Sequence, residues 1–275
     1  MPMQQQRHFR WYGDEAGRPI VYFHGAPGAA IECGRFHEAA QKHGVRLVGL
    51  ERSSTDVRLT GDDYFERHAG EVAALVGDGP FEAIGFSIGA AVALRCAPYL
   101  KDRLTRLHLV SAAAPLESGD FLKDMAGKSV FRMAQRSPGL FRRVARTEAW
   151  LALHAPAVLF AMLFSSARAA DSVLAADPAF RAEIDLVMKL GLGGGVSSFM
   201  RDVREYVRPW AERLAEVTVE TRLWHGAEDN WSPAAMADAL QRLIPGASAK
   251  TVLPGLSHYS CLFEAVPRIL AEPAA

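Results

Sequence analysis

The run from Pro80 to Ala97, PFEAIGFSIGAAVALRCA, constrains this chain more than any other. Its first part, PFEAIGF, is a short apolar run of the kind that forms a buried strand. Its second part, IGAAVALRCA, is nearly all apolar or small, as expected of a helix pressed against a sheet. Pro98 is predicted to end that helix, because a proline lacks the backbone donor that a helix interior needs. Ser87 stands at the join between strand and helix.

Similar strand runs recur before and after it. Pro19–His24 (PIVYFH) ends in the glycine-rich turn HGAPG, and Gly44–Leu50 (GVRLVGL) ends in the polar stretch Glu51–Asp56. Leu104–Ser111, Thr218–His225 and Ala249–Leu253 supply three more, and Phe65–Val76 reads as helix. Strands alternating with helical patterns imply βαβ units and a mostly parallel sheet. Between Glu117 and about Ala215 the strand signal disappears. Helical stretches fill that region, broken at Ser137–Pro138–Gly139, Asp177–Pro178 and Gly191–Gly195. The expected division is therefore a core of residues 1–116 and 216–275, with residues 117–215 as a helical cap. A cap so inserted belongs over the C-terminal edge of the sheet, where α/β folds bind ligands.

Composition narrows the partners. The chain has 275 residues, and 31 Lys+Arg balance 31 Asp+Glu, with no long basic run. Neither nucleic acid nor an anionic membrane is therefore an expected partner. The apolar segment Ala149–Phe164 is shorter than the roughly 20 residues of a spanning helix and carries Pro156, so it is expected to form buried helices rather than a membrane span. Cys33, Cys96 and Cys261 are scattered and odd in number, which fits reduced thiols in the cytoplasm. The N-terminus MPMQQQRHFRWYG has no apolar stretch of the kind a secretory signal needs. Oligomeric state is not legible.

The chemistry-bearing residues lie at the ends of the predicted strands. Gly85–Phe86–Ser87–Ile88–Gly89 matches the pattern G-x-S-x-G, a sharp strand-to-helix turn that lifts a serine into a site. Small residues on either side let strand and helix approach, and the helix N-terminus favours negative charge developing nearby. A serine nucleophile needs a base, and the base needs an orienting acid. The order serine, acid, histidine selects Asp229 in the loop after one late strand and His258 in the loop after the last. Glu228 and Glu117 are the rival acids. Of the nine histidines, His225 and His24 belong to their own turns, while His108 and His154 are expected to be satisfied core residues. The tetrahedral intermediate of acyl transfer needs two backbone N–H donors. Ile88, after the serine, is one candidate, and Ala26 in the HGAPG turn is the other, since Pro27 has no N–H.

HGAPG, GFSIG, GAED and GLSH in this order closely resemble the α/β-hydrolase superfamily over essentially the whole chain. The resemblance implies an eight-stranded, mostly parallel sheet, a Ser87–Asp229–His258 triad, an oxyanion hole at Ala26 and Ile88, and a helical lid. It implies hydrolysis of a small carboxylic ester or related acyl substrate through an acyl-enzyme. Relatives with aspartate or cysteine at the elbow, such as haloalkane dehalogenases or dienelactone-hydrolase-like enzymes, are excluded by Ser87. Three alternatives stay open: a proline-iminopeptidase-like aminopeptidase, a C–C bond hydrolase, and a ligand-binding or signalling protein with vestigial hydrolysis. The first needs acidic cap residues, for which Glu183, Asp185 and Glu205 are available, although each reads more readily as a solvated helix face. The cap's apolar residues, among them Trp150, Leu159, Leu163 and Phe164, suit an apolar substrate or simply the cap's own packing. One departure is plain. Many relatives carry D-x-x-G-x-G after the strand at Val45–Leu50, whereas here Glu51–Asp56 reads ERSSTD, so that loop must turn differently. No nucleotide-binding glycine pattern occurs, and neither the His258/Cys261 nor the His37/His43 pair reaches three ligands. No cofactor or metal is expected.

Overall fold

A computed structural model describes residues 8–275. Its frame is a seven-stranded sheet of β1 (Phe9–Gly13), β2 (Arg18–Phe23), β3 (Val45–Leu50), β4 (Phe81–Phe86), β5 (Leu104–Val110), β6 (Glu220–Gly226) and β7 (Ala247–Leu253). The order is β1-β3-β2-β4-β5-β6-β7. Every neighbouring pair is parallel except β1 with β3.

The sheet of eight strands that the resemblance implied is corrected to seven among the described residues. Only FRWYG precedes the parallel strands there, and it pairs directly along β3, Phe9 opposite Leu50 and Gly13 opposite Arg46. A tight turn, in which Asp14 accepts from Ala16 and Gly17, then returns the chain to β2.

Successive strand residues point to opposite faces, and the packing follows that rule. On one face Ile20, Tyr22, Ile84 and Phe86 meet Leu262, Val266 and Ile269 of α11 (His258–Ala271), with α1 (His37–Lys42) beside it. On the other face Val21, Phe23, Ala83 and Leu107 meet α2 (Gly61–Val76) and α3 (Ile88–Leu100). All six β4 residues are buried, because helices cover both faces. Burial of one such aliphatic or aromatic side chain stabilises the fold by about 1.5–3 kcal/mol. Pro98 does not end α3, which runs on to Leu100. The missing N–H falls in the final turn, and the buried Ala97 and Leu100 hold that turn against the sheet.

Between β5 and β6 the described chain is helical. It carries α4 (Lys128–Arg136), α5 (Pro138–His154), α6 (Pro156–Phe164), α7 (Ala169–Ala175), α8 (Pro178–Met188) and α9 (Val196–Val207), with a π-helical turn at Lys189–Gly193. The helix α10 (Ala235–Leu243) follows β6. The expected buried helices over Ala149–Phe164 are the end of α5 and all of α6, parted at Ala155–Pro156, but they are buried on one side only. Ala152, Leu159 and Phe160 turn inward, while Trp150, Val158 and Met162 are each more than half exposed. Residues on opposite sides of an α-helix cannot both face one core.

The strand order reverses between β2 and β4, since β3 lies on one side of β2 and the later strands on the other. Open α/β sheets bind ligands in the crevice outside the strand ends at such a switch point. Ala26 follows β2 and Ser87 follows β4, so these two residues flank the crevice.

Candidate active site

Ser87 sits between β4 and α3 with φ 56° and ψ −128°, one of three non-glycine residues of positive φ among those described. Such backbone costs an L-residue about 1–3 kcal/mol and persists only where its surroundings enforce it. Here the Ser87 N–H donates to Val110 O at 3.1 Å, and its carbonyl accepts from Ala113 N at 3.2 Å. The flanking glycines of the motif have a steric reason. A Cβ on Gly89 would lie 2.2 Å from the carbonyl oxygens of Phe23 and His24, and one on Gly85 would lie 2.6 Å from Ala90 Cα. Helix and strand could not close to this distance around any larger residue.

The loops after β6 and β7 support each other, with Ala227 N donating to Leu253 O and Glu228 N to Leu256 O, each at 3.0 Å. Asp229 in the first loop accepts from Trp231 N (2.8 Å) and Ser232 N (2.9 Å) through Oδ1. Its Oδ2 accepts from His258 Nδ1 at 2.8 Å. An ionised carboxylate can only accept, so Nδ1 carries the proton and Nε2 keeps its lone pair. Burial opposes ionisation of Asp229, but the His258 imidazole, the nearby His225 and the Ser232 N–H outweigh it and hold the carboxyl below its ordinary range. Burial likewise opposes the His258 imidazolium, and the Asp229 charge overcomes it, so His258 titrates above its ordinary value. The rival acids stand elsewhere. Glu228 is exposed, and Glu117 accepts from Trp210 N and Ala211 N at the surface.

Of the other histidines, His225 is buried with Nε2 at 2.7 Å from Ser232 O, and His108 is buried beside Glu82. His154, expected in the core, is exposed because it falls on the outward side of the last turn of α5.

Two positioning groups left no recognisable signal in the sequence. The first is Asp171, buried at the start of α7, which accepts from Tyr259 N (3.0 Å), Ser260 N (2.8 Å) and Ser260 Oγ (2.6 Å). A carboxylate on these first-turn donors stabilises the N-terminus of α11, the helix that opens with His258. The second is Arg52 of the ERSSTD loop. It lies in a short 3-10 turn, buried, and its guanidinium donates to His24 O and Gly25 O (2.6 Å each) and to Asp202 Oδ2 of α9 (2.7 Å). From the opposite side Gly25 N donates to Glu32 Oε2 at 3.3 Å, which also accepts from Tyr22 Oη at 2.9 Å. The HGAPG turn is thereby gripped on both sides. Burial raises the Glu32 carboxyl to about 7 despite those bonds. The buried His24, beside the Arg52 cation, titrates well below the usual histidine range. Ala26 N donates to no acceptor among the described residues. Ile88 opens α3, so its N–H belongs to the first turn, which has no intrahelical acceptor.

These residues meet at a cavity of two lobes. The larger is lined by Ala26, Ser87 and Ile88 and otherwise mainly by apolar side chains, such as Val130, Leu159, Leu163 and Phe199 of the inserted helices. The smaller holds Ser87 and His258 with Phe164, Met188 and Tyr259. Ala26, Pro27, Ser87, Leu163 and Trp231 border both. The cap acids singled out from the sequence do not line either lobe. Glu183 pairs with Arg35, and Glu205 is not on a solvated face but buried, bonded to Arg208 and close to Arg95. The carboxylate that does line the larger lobe is Glu148 of α5, which lacked any local pattern to mark it.

Among the described residues no group of three or more His, Cys, Asp or Glu is arranged to hold a metal ion, and no helix is long and apolar enough to cross a membrane. The three cysteines are buried and free. The expectation for the N-terminal segment falls partly on residues 1–7, outside the described residues.

A doubly wound sheet with a serine on a positive-φ strand-to-helix turn is the architecture of an α/β hydrolase. The family model described as "Alpha/beta hydrolase family" matches residues 20–272, and the chain belongs to that family. No curated protein matches it in sequence. Among solved structures it is similar to MenH from S. aureus (16% identity, 96% of each chain, TM-score 0.69). It also resembles a bromoperoxidase from Bacillus anthracis (16% identity, 95% of this chain and 92% of that one, TM-score 0.68). A thermophilic esterase from Thermogutta terrifontis matches at 19% identity over 95% of this chain and 90% of that one, with a TM-score of 0.60. Identities this low speak for the shared fold alone.

Proposed function

We propose that this chain is a serine hydrolase that cleaves a small carboxylic ester or related acyl substrate through an acyl-enzyme intermediate. The observation that carries this reading is the convergence of Ser87, on its positive-φ turn, with the Asp229–His258 pair on one cavity. His258 Nε2 takes the Ser87 hydroxyl proton as Oγ attacks the carbonyl carbon. The N–H groups of Ala26 and Ile88 hold the oxyanion, and Asp229 steadies the imidazolium. The C–O bond to the alcohol breaks as His258 delivers its proton to the leaving oxygen. Water then attacks the acyl-enzyme, gives its proton to His258, and releases the acid while Ser87 regains its hydroxyl.

Residues 117–215 act as a helical cap on a core of 1–116 and 216–275. The support is that this segment, chiefly α4, α6 and α9, carries most of the apolar lining of the larger lobe, while Ser87, Asp229 and His258 come from strand ends. Such a lining suits an apolar acyl group or alcohol.

The test is a panel of p-nitrophenyl esters, thioesters and aminoacyl anilides. Esters are expected to turn over, and Ser87→Ala is expected to lose about 10⁴-fold or more in kcat. Preference for an aminoacyl anilide over every ester would overturn the reading.

A further inference from the structure

Glu148 is the one ionisable residue in the lining of the larger lobe, which otherwise consists of apolar side chains, two serines and backbone. It is half-buried, and no hydrogen bond or salt bridge joins it to any described residue. Glu32, Asp171, Asp202, Asp229, Glu183 and Glu205, by contrast, each have a partner. A carboxylate set in an apolar wall without a partner is unfavourable unless something else supplies the counter-charge or donor. The protein supplies neither: burial alone raises this carboxyl to about 7, and no nearby cation lowers it. A plain apolar substrate would gain nothing from it, since leucine or methionine at this position of α5 would pack the lobe better.

We propose that Glu148 is a specificity-determining residue that binds a protonated amine on the part of the substrate seated in the larger lobe. The inference rests on the reading of this cavity as the substrate site. An ammonium group on an otherwise apolar arm matches what the lobe offers, because the arm fills the apolar wall and the cation meets the carboxylate. A hydrogen bond to a charged group is worth more than a neutral one, so the amine is preferred over a hydroxyl of equal reach.

The test separates binding from turnover. Calorimetric titration at pH 8.5, where both Glu148 and an alkylamine are charged, compares n-hexylamine with n-hexanol on wild-type protein and on Glu148→Gln. Wild type is expected to bind the amine about tenfold or more tightly than the alcohol. The variant is expected to lose that preference with alcohol affinity little changed, and to unfold no earlier than wild type on heating. Equal binding of amine and alcohol by wild type, or a preference that survives in Glu148→Gln, would overturn the proposal. A parallel comparison of p-nitrophenyl hexanoate with its 6-amino analogue should show kcat/KM in Glu148→Gln falling about tenfold further for the amino ester than for the plain one. Amine binding that depends on Glu148, with no hydrolysis of any ester, would sink the hydrolase reading and leave this one standing.

Discussion

Arg52 and Asp202 lie 150 positions apart in the chain and meet at 2.7 Å, Nε to Oδ2, with both side chains almost wholly withdrawn from water. The same guanidinium holds the carbonyls of His24 and Gly25, so one residue ties helix α9 of the insertion to the turn beside Ser87. Without Arg52, Asp202 keeps Arg201 at 3.4 Å and the Tyr64 hydroxyl, but the carbonyls of His24 and Gly25 lose their donor. Arg52→Ala is expected to cost about 2–3 kcal/mol of stability in urea denaturation. Arg52→Lys keeps the charge but cannot bond three acceptors in fixed directions. It should lower kcat more than it raises KM, because the turn carrying Ala26 loses its grip. Unchanged kcat in a folded Arg52→Lys protein would refute that role.

The pH profile follows from the His258–Asp229 pair. The imidazolium is favoured in the folded protein, so the base stays protonated to a higher pH than a free imidazole. The acid limb of kcat/KM should therefore lie above the ordinary histidine value of 6.5. Asp229→Asn removes the charge but not the burial, and should move the limb below that value while kcat falls by about 10⁴-fold. A limb that does not move would show that another group titrates.

Asp171 acts on the same histidine from the insertion. Asp171→Asn withdraws a charge from the N-terminus of α11, and is expected to lower stability by about 1–2 kcal/mol. It should also shift the acid limb slightly downward, since Asp171 adds to the field that favours the His258 imidazolium. Loss of stability with an unmoved limb would confine Asp171 to a capping role.

Backbone strain at Ser87 gives a prediction without reference to substrate. Glycine accepts φ 56° readily, but adds roughly 0.5–1 kcal/mol of entropy to the unfolded chain. Against about 1–3 kcal/mol of relieved strain, Ser87→Gly should be more stable than Ser87→Ala by about 1 kcal/mol in chemical denaturation. Equal stability would mean that the turn stores no strain.

The parallel core was legible because six apolar runs alternate with helices and each ends in a turn that carries a polar residue. The strand β1 was not, since FRWYG is half-buried, lies on the sheet edge and lacks a clean alternation of apolar and polar positions. That the loop of Asp229 meets His258, and the loop of Glu117 does not, could be read from loop order, because strand order fixes which loops converge. That Asp229 rather than its neighbour Glu228 turns inward is a matter of side-chain direction within one loop. Arg52, Asp171 and Glu148 could not be read from loop order. Their roles depend on contacts between the insertion and the core across 88 to 150 positions, or on one helix turning a single carboxylate toward a lobe. No local pattern encodes such contacts.

Reaction with a fluorophosphonate followed by peptide mass spectrometry asks whether Ser87 is the nucleophile. One adduct is expected, on the peptide containing Ser87, absent in Ser87→Ala and slowed sharply in His258→Ala. Failure of the folded wild-type protein to label, or labelling that persists in Ser87→Ala, would contradict that role.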